Sequence, residues 1–149
     1  MSNKRSKQRV LFLCTGNSCR SQMAEGFLRE LGGAAFDVAS AGVDPTRINP
    51  LAVRVMAEAA IDISEQYSKS VDEMTGQDFD YVITVCDRAR EACPIFPRAA
   101  RSLHWSFEDP AEATGAEDDR LIVFRRVRDE ISGRVREFVS NIDRERDVR

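Results

Sequence analysis

Val10-Leu11-Phe12-Leu13-Cys14-Thr15-Gly16-Asn17-Ser18-Cys19-Arg20-Ser21 is a short apolar run that delivers a cysteine into a polar turn closing on Arg-Ser. Four consecutive apolar residues suit a buried parallel strand, and the Gly16-Asn17 pair tolerates the positive backbone torsions of a tight loop. Beyond the loop, Met23, Phe27 and Leu31 recur at i, i+4 and i+8. That spacing predicts a helix over Gln22 to Leu31, with Glu25 and Arg29 pointing away from its apolar stripe. A strand, a polar loop and a helix start in this order aim backbone N–H groups at one point and add the positive end of the helix. Thr15, Gly16, Asn17, Ser18, Cys19, Arg20 and Ser21 are therefore expected to bind an oxyanion. Arg20 can grip the same anion with two parallel donors. Cys14 would lie beneath it in a field that favours the thiolate, the form that attacks, with Ser21 placed to hydrogen-bond the sulfur. The plainer reading, a small apolar residue ending a strand, leaves Arg-Ser at the helix mouth without a purpose.

The rest of the chain reads as alternating strands and helices. Gly32-Gly33 stops the first helix, and Phe36 to Ala41 forms a second strand ending at Gly42. Asn49-Pro50 starts a second helix with Leu51, Val55, Met56 and Ala59 on its buried stripe, ending near Ile61. Residues 62–70 read as irregular and 71–77 as one helical turn, with nothing catalytic expected there. Phe79 to Cys86 is a third strand, rich in β-branched and aromatic residues. It bears a cysteine at its carboxyl end, as the first strand does, so Cys14 and Cys86 are expected to face one crevice at the carboxyl edge of a parallel sheet. Cys93 follows in the next loop. Ser102 to Trp105 reads as a short fourth strand, and Ser106 to Pro110 as a loop leaving the same edge. Leu121, Phe124, Val127, Ile131, Val135 and Phe138 mark one long helix from Asp118 to Asn141.

The loop Cys14 to Ser21 resembles the active-site loop of the low-molecular-weight tyrosine phosphatase fold. Its continuation Gln22-Met23-Ala24-Glu25-Gly26 is similar to that of the thioredoxin-coupled arsenate reductases of that superfamily. The resemblance runs from Val10 to Phe138. It implies an α/β fold: one four-stranded parallel sheet in order 2-1-3-4, with helices on both faces.

Composition sets the outer bounds. The 149 residues suit a single domain, 1–149, able to withdraw roughly 68–70% of its unfolded surface from water. Residues 1–9 and 143–149 are expected to fray. No apolar run exceeds about five residues against the roughly 18–20 of a membrane span, and Met1 to Arg9 has no apolar segment behind its charges. A cytoplasmic protein without a membrane partner is expected. Four cysteines are too few for a secreted disulfide scaffold and read better as chemistry. The net charge of −3 argues against nucleic acid as a partner.

Asp109-Pro110 supplies the carboxylic acid that a thiolate attack on an oxyanion still lacks, protonating the departing oxygen. A turn aspartate before proline is common, but the Trp105-x-Phe107-x-Asp109-Pro110 context resembles the family's acid loop. Zinc is not expected, because it typically takes pairs with about two to four residues between them, whereas the gaps are four within Cys14/Cys19 and six within Cys86/Cys93, and His104 is the single imidazole. Cys19 fits an inert buried thiol. Cys86 and Cys93 fit a short, easily exchanged disulfide.

With the resemblance, these pieces assemble into a mechanism. Cys14 attacks arsenate held by Thr15 to Arg20 with help from Asp109, and Cys86 then attacks the Cys14 sulfur and releases arsenite. Cys93 next attacks Cys86. The resemblance implies thioredoxin as the external reductant, no bound cofactor, and phosphate or sulfate as competitors. The runner-up is phosphomonoester hydrolysis through a phosphocysteine, using Cys14, Arg20 and Asp109. Against phosphotyrosine as main substrate, Ala111 stands where those phosphatases carry an aromatic, and the chain holds only Tyr67 and Tyr81. A third reading, a non-catalytic oxyanion sensor, needs neither Asp109 nor the Cys86/Cys93 pair. Some relatives hold potassium near the loop. Asn17, Glu25 and Ser40 match three of its ligands, but the fourth, an acid, is Lys69 here, so its ammonium is expected to replace the cation.

Overall fold

The computed structural model describes residues 7–87 and 95–148. The Val10–Cys14 run is β1 (Gln8–Cys14), and its five terminal residues are buried because parallel strands flank it on both sides. β2 (Phe36–Gly42) pairs with one edge of β1, from Gln8 opposite Phe36 to Cys14 opposite Gly42. β3 (Phe79–Thr84) pairs with the other edge, and β4 (Ala99–His104) lies outside β3, closing the parallel order β2-β1-β3-β4. The expected 2-1-3-4 topology is therefore present.

Three α-helices join these strands: α1 (Arg20–Gly32), α2 (Pro50–Glu58) and α3 (Glu117–Val148). Strand side chains alternate in direction. Val10 and Phe12 accordingly enter one core with Met23, Phe27, Val55, Phe124 and Ile131, contributed by all three α-helices. Leu11 and Leu13 face the other way, against Met74 of the 3₁₀ turn Val71–Met74 and Phe96. Helical segments thus cover both faces, unequally. Among the described residues no helix is long and apolar enough to cross a membrane.

Several boundaries differ from expectation for physical reasons. The basic start was expected to fray through Arg9. Instead the Arg9 main-chain N–H donates to Asp80 (2.7 Å), and its guanidinium donates to Asp78 O (2.7 Å) and Gln77 Oε1 (2.8 Å) and stacks over Phe79. At the other end α3 runs past Asp143 to Val148, because buried Ile142 adds a further apolar turn. β4 starts at Ala99, three residues before the expected Ser102. Its exposed edge residues Ala100, Arg101 and Ser102 hide the strand from an apolar pattern. β3 stops at Thr84, leaving Val85 and Cys86 beyond it, although Val85 N–H still bonds Leu13 O at 3.0 Å.

α2 ends in a left-handed cap. Ala60 has φ +64°, its N–H reaches Ala57 O (2.9 Å), and Ile61 N–H reaches Met56 O (3.0 Å). This is the Schellman arrangement with alanine where glycine is usual. The last residue of the helix, Glu58, takes both Arg125 nitrogens at 2.9 and 2.8 Å, tying α2 to α3. Hydrogen bonds from Arg125, with Arg128 adding to them, hold the Glu58 carboxyl down at about 2 from an ordinary 4.5.

Two outcomes follow. Ala60→Gly relieves left-handed strain of about 1–2 kcal/mol and gives back part of it as unfolded-chain entropy, so it should stabilise by about 0.5–1 kcal/mol, read as a rise of roughly 2 °C in Tm. Because the Glu58 pKa is depressed on folding, its contribution is complete above pH 4.5 and is lost as pH falls toward about 2. Glu58→Gln should therefore flatten the acid limb of stability in that window, measured by denaturant melts at stepped pH.

Candidate functional site

Cys14 closes β1 at the carboxyl edge of the sheet, and the chain has only five residues in which to turn before α1 begins at Arg20. The turn is made at Asn17, whose φ of +50° is left-handed, while Gly16 is not in that region. Asparagine alone therefore supplies the torsion that the Gly16-Asn17 pair was expected to share. This turn points the Asn17 N–H at Cys14 Sγ, 3.2 Å away, and the Ser21 hydroxyl lies 2.9 Å from the same sulfur.

The hydrogen bonds behind the sulfur are organised by the Asn17 side chain. Its Oδ1 accepts from Lys69 N–H and from Gln22 Nε2, each at 2.9 Å, which fixes the amide orientation. Nδ2 then donates one hydrogen to Ser21 Oγ (2.8 Å) and the other to Ser40 Oγ (2.9 Å). Ser40, having accepted, turns its own hydrogen to Glu25 Oε1 at 2.5 Å, and the Ser21 hydroxyl, 2.9 Å from the Cys14 sulfur, keeps its hydrogen available to that sulfur once it is a thiolate.

Glu25 was expected to point away from the core, but it is only 4% exposed. Arg29 Nη2 binds it at 2.6 Å, and the ammonium of buried Lys69 lies 4.0 Å from it, 3.1 Å from Tyr67 O and over the Tyr67 ring. A buried carboxylate with these partners has a tolerable desolvation cost. The segment 62–77, where nothing catalytic was expected, thus reaches the loop through Ser68 and Gln66 as well as through Lys69, whose ammonium was expected beside Glu25. Gln22, fully buried, reaches Asn17 O (3.0 Å) and Tyr67 O (3.0 Å) and accepts from Gln66 Nε2 (2.7 Å). These are long-range contacts of ordinary polar residues, and nothing in their local pattern marks them.

Arg20 is buried and faces the second half of the site. One nitrogen donates to Phe107 O (3.2 Å), and the other lies 3.6 Å from Asp109 Oδ2. Asp109 caps the short turn Pro110–Glu112, its Oδ1 accepting from Ala111 N–H at 3.0 Å, so the carboxylate has a set direction. Buried Trp105 and Phe107 anchor this loop, Trp105 against Phe12 and Phe138 with centroids 5.8 Å away in both cases.

Cys14, Thr15, Gly16, Ser18, Cys19 and Arg20 form the floor of a cleft of about 590 Å³, with Val43, Asp44 and Thr46 on one wall and Asp109, Ala111 and Glu112 on the other. Asn17 and Ser21 lie behind the floor. A tetrahedral oxyanion on this floor would sit above a sulfur, beside a guanidinium and below a carboxyl group. Burial pushes the Cys19 thiol up to about 12, in keeping with an inert role. Cys86 is buried just past β3 at the same sheet edge and is disulfide-bonded, whereas Cys14 and Cys19 are free thiols. Cys93 lies outside the described residues.

The low molecular weight phosphotyrosine protein phosphatase model matches residues 9–148. An arsenate reductase of Halalkalibacterium halodurans is 48% identical over 133 residues, covering 89% of this chain and 96% of that protein. Among solved structures, an arsenate reductase in a phosphate-binding state superposes with a TM-score of 0.79 at 36% identity, over 91% of this chain and 98% of its own. A thioredoxin-dependent arsenate reductase of Corynebacterium glutamicum gives a TM-score of 0.72 at 29% identity, over 94% of this chain and 64% of its own. The chain therefore belongs to the low molecular weight phosphotyrosine protein phosphatase family, and within it lies with the arsenate reductases.

Proposed function

We propose that the chain is an arsenate reductase that uses Cys14, Cys86 and Cys93 in sequence and is recycled by thioredoxin. The observation that carries this is the Cys14 sulfur, bonded by Asn17 N–H and Ser21 Oγ on the floor of a cleft that also holds Arg20 and Asp109. The loop amides and Arg20 hold arsenate. Cys14 forms the sulfur–arsenic bond while one arsenate oxygen leaves as water, its proton supplied by Asp109. A thiolate at Cys86 then attacks the Cys14 sulfur. The sulfur–sulfur bond forms, the sulfur–arsenic bond breaks, and arsenic leaves as arsenite with the electron pair. Cys93 displaces Cys14 from Cys86, and the thioredoxin dithiol reduces the Cys86/Cys93 bond.

The similarity to a thioredoxin-dependent arsenate reductase supports the choice of reductant, and the disulfide at Cys86 supports its redox role. A dithiol reductant places the reaction in a reducing compartment, the cytoplasm, with the whole chain working as one domain. Phosphate and sulfate, being tetrahedral anions, compete for the floor. No aromatic residue lines the cleft among the described residues, and Ala111 leaves its wall open, which favours a bare oxyanion over an aryl phosphate. The position where relatives hold potassium does not fit that ion here, because the Lys69 ammonium stands beside Glu25.

The deciding assay is arsenate with thioredoxin, thioredoxin reductase and NADPH, set beside an aryl phosphate on the same preparation. Arsenate-dependent NADPH oxidation is expected; aryl phosphate turnover with no arsenite formed would give the hydrolase reading instead. Cys93→Ser should complete about one turnover, as expected when a resolving thiol is lost, and then hold Cys14 joined to Cys86, visible by peptide mass. Steady turnover of that variant with thioredoxin would remove the relay. Asp109→Asn should lower kcat by roughly 10²-fold or more, the usual worth of a general acid. Exchanging potassium for sodium should leave the rate unchanged; strong potassium stimulation would show that Lys69 does not replace the ion.

A further inference from the structure

The outer side of the loop is held by the rest of the chain. Five consecutive carbonyls, Cys14 to Ser18, each accept a hydrogen bond from outside the loop, and that of Cys19 accepts the first bond of α1. Val43 N–H reaches Cys14 O (3.4 Å), Asp44 N–H reaches Thr15 O (2.9 Å), and Thr46 N–H reaches Gly16 O (3.1 Å). Asn49 N–H bonds Ser18 O (3.1 Å) and Met23 N–H bonds Cys19 O (2.9 Å). Asn17 O takes the Ser68 hydroxyl at 2.7 Å as well as Gln22 Nε2. In a trans peptide the C=O and N–H point opposite ways. Carbonyls drawn outward therefore turn the neighbouring N–H groups inward, as the Asn17 N–H already shows by aiming at the sulfur.

Gly42 sets how closely this outer segment can approach. A Cβ on Gly42 would lie 2.5 Å from Thr15 O, 2.9 Å from Asn17 N and 3.1 Å from Asn17 Cβ. Its φ is not in the left-handed region, so the glycine is there for space rather than for torsion. Gly42 is itself held from behind, its N–H donating to Lys69 O at 2.8 Å.

We infer that Gly42, the strap from Val43 to Asn49 and Ser68 form an outer template that holds the oxyanion loop in its binding conformation, with Gly42 and Ser68 as positioning residues. The inference rests on the reading of the Cys14 loop as an oxyanion site. The strap carries Val43, Asp44 and Thr46, which also wall the cleft, so one segment both shapes the loop and faces what enters.

The test is iodoacetamide alkylation of Cys14 in the reduced full-length protein, followed by peptide mass across a pH series, with and without inorganic phosphate. These readouts need neither arsenate turnover nor thioredoxin. A methyl at residue 42 must displace Thr15 O and Asn17 N. Gly42→Ala should therefore move the alkylation midpoint to higher pH and raise the phosphate needed for half-protection by about 10-fold or more, the scale of losing a hydrogen bond to a charged group. Ser68→Ala, which removes one outer donor without crowding, should shift both in the same direction by less. Gly133→Ala, with open space around it on α3, should move neither. A folded Gly42→Ala protein, judged by circular dichroism, with wild-type midpoint and wild-type phosphate protection overturns the template. Where Gly42→Ala does not fold, Ser68→Ala decides, and unmoved values there overturn it equally. Failure of phosphate to protect the wild-type protein overturns the oxyanion reading beneath it, an outcome distinct from the other two.

Discussion

The side-chain amide of Asn17 is the contact on which the loop's chemistry depends. Its oxygen is committed to Lys69 N–H and Gln22, so its two hydrogens can go only to Ser21 and Ser40. The first of those bonds turns the Ser21 hydroxyl toward the Cys14 sulfur; the second turns Ser40 toward Glu25. An amide flipped by half a turn would face Lys69 N–H with donors and draw both serine hydrogens to its own oxygen, away from Cys14 and Glu25. Buried networks of this kind are favourable only when every member is satisfied, and here β1, α1, β2 and the segment before Val71 all supply members: Cys14 from β1, Ser21, Gln22 and Glu25 from α1, Ser40 from β2 and Lys69 from the segment.

The fold serves that arrangement by bringing the ends of several strands to one edge. β1 is central, and its buried apolar residues prevent the Cys14 end from shifting without disturbing both cores. β2 delivers Ser40 and Gly42 beside it in register, and β3 and β4 bring Cys86 and the Trp105–Asp109 loop to the same edge. Trp105, packed between Phe12 and Phe138, ties the loop bearing the carboxylate to the core under the cysteine.

Much of this was legible in the residues. The Val10–Leu13 run, the helical spacing of Met23, Phe27 and Leu31, and Asn49-Pro50 are local signals, and local signals survive in a single sequence. Cys14 and Arg20 could be singled out by type and spacing, Asp109 only through the resemblance of its loop, and the structure sets all three around one cleft. Glu25 was legible only through the resemblance, which set it with Asn17, Ser40 and Lys69; by helical position alone a glutamate opposite an apolar stripe looks solvated. Its burial depends on Ser40 and Lys69, 15 and 44 positions away in the chain. Gln22 and Ser68 were invisible for the same reason. The polar start of β4 and the last turns of α3 are held by strand pairing and by Ile142, neither of which leaves a periodic mark.

Arg20 has a consequence of its own. Its guanidinium spans from the floor to Phe107 O and the Asp109 carboxylate, held by partners within the chain. A free arginine would lose much rotational freedom on gripping a small ion, and an ion of five atoms offers few contacts to compensate. Here that freedom is surrendered during folding, so the incoming ion meets a stiff receptor. The same tether makes the two halves of the cleft report on each other: a disturbance on the Asp109 side is felt at the anion seat through one side chain, without any motion of the sheet.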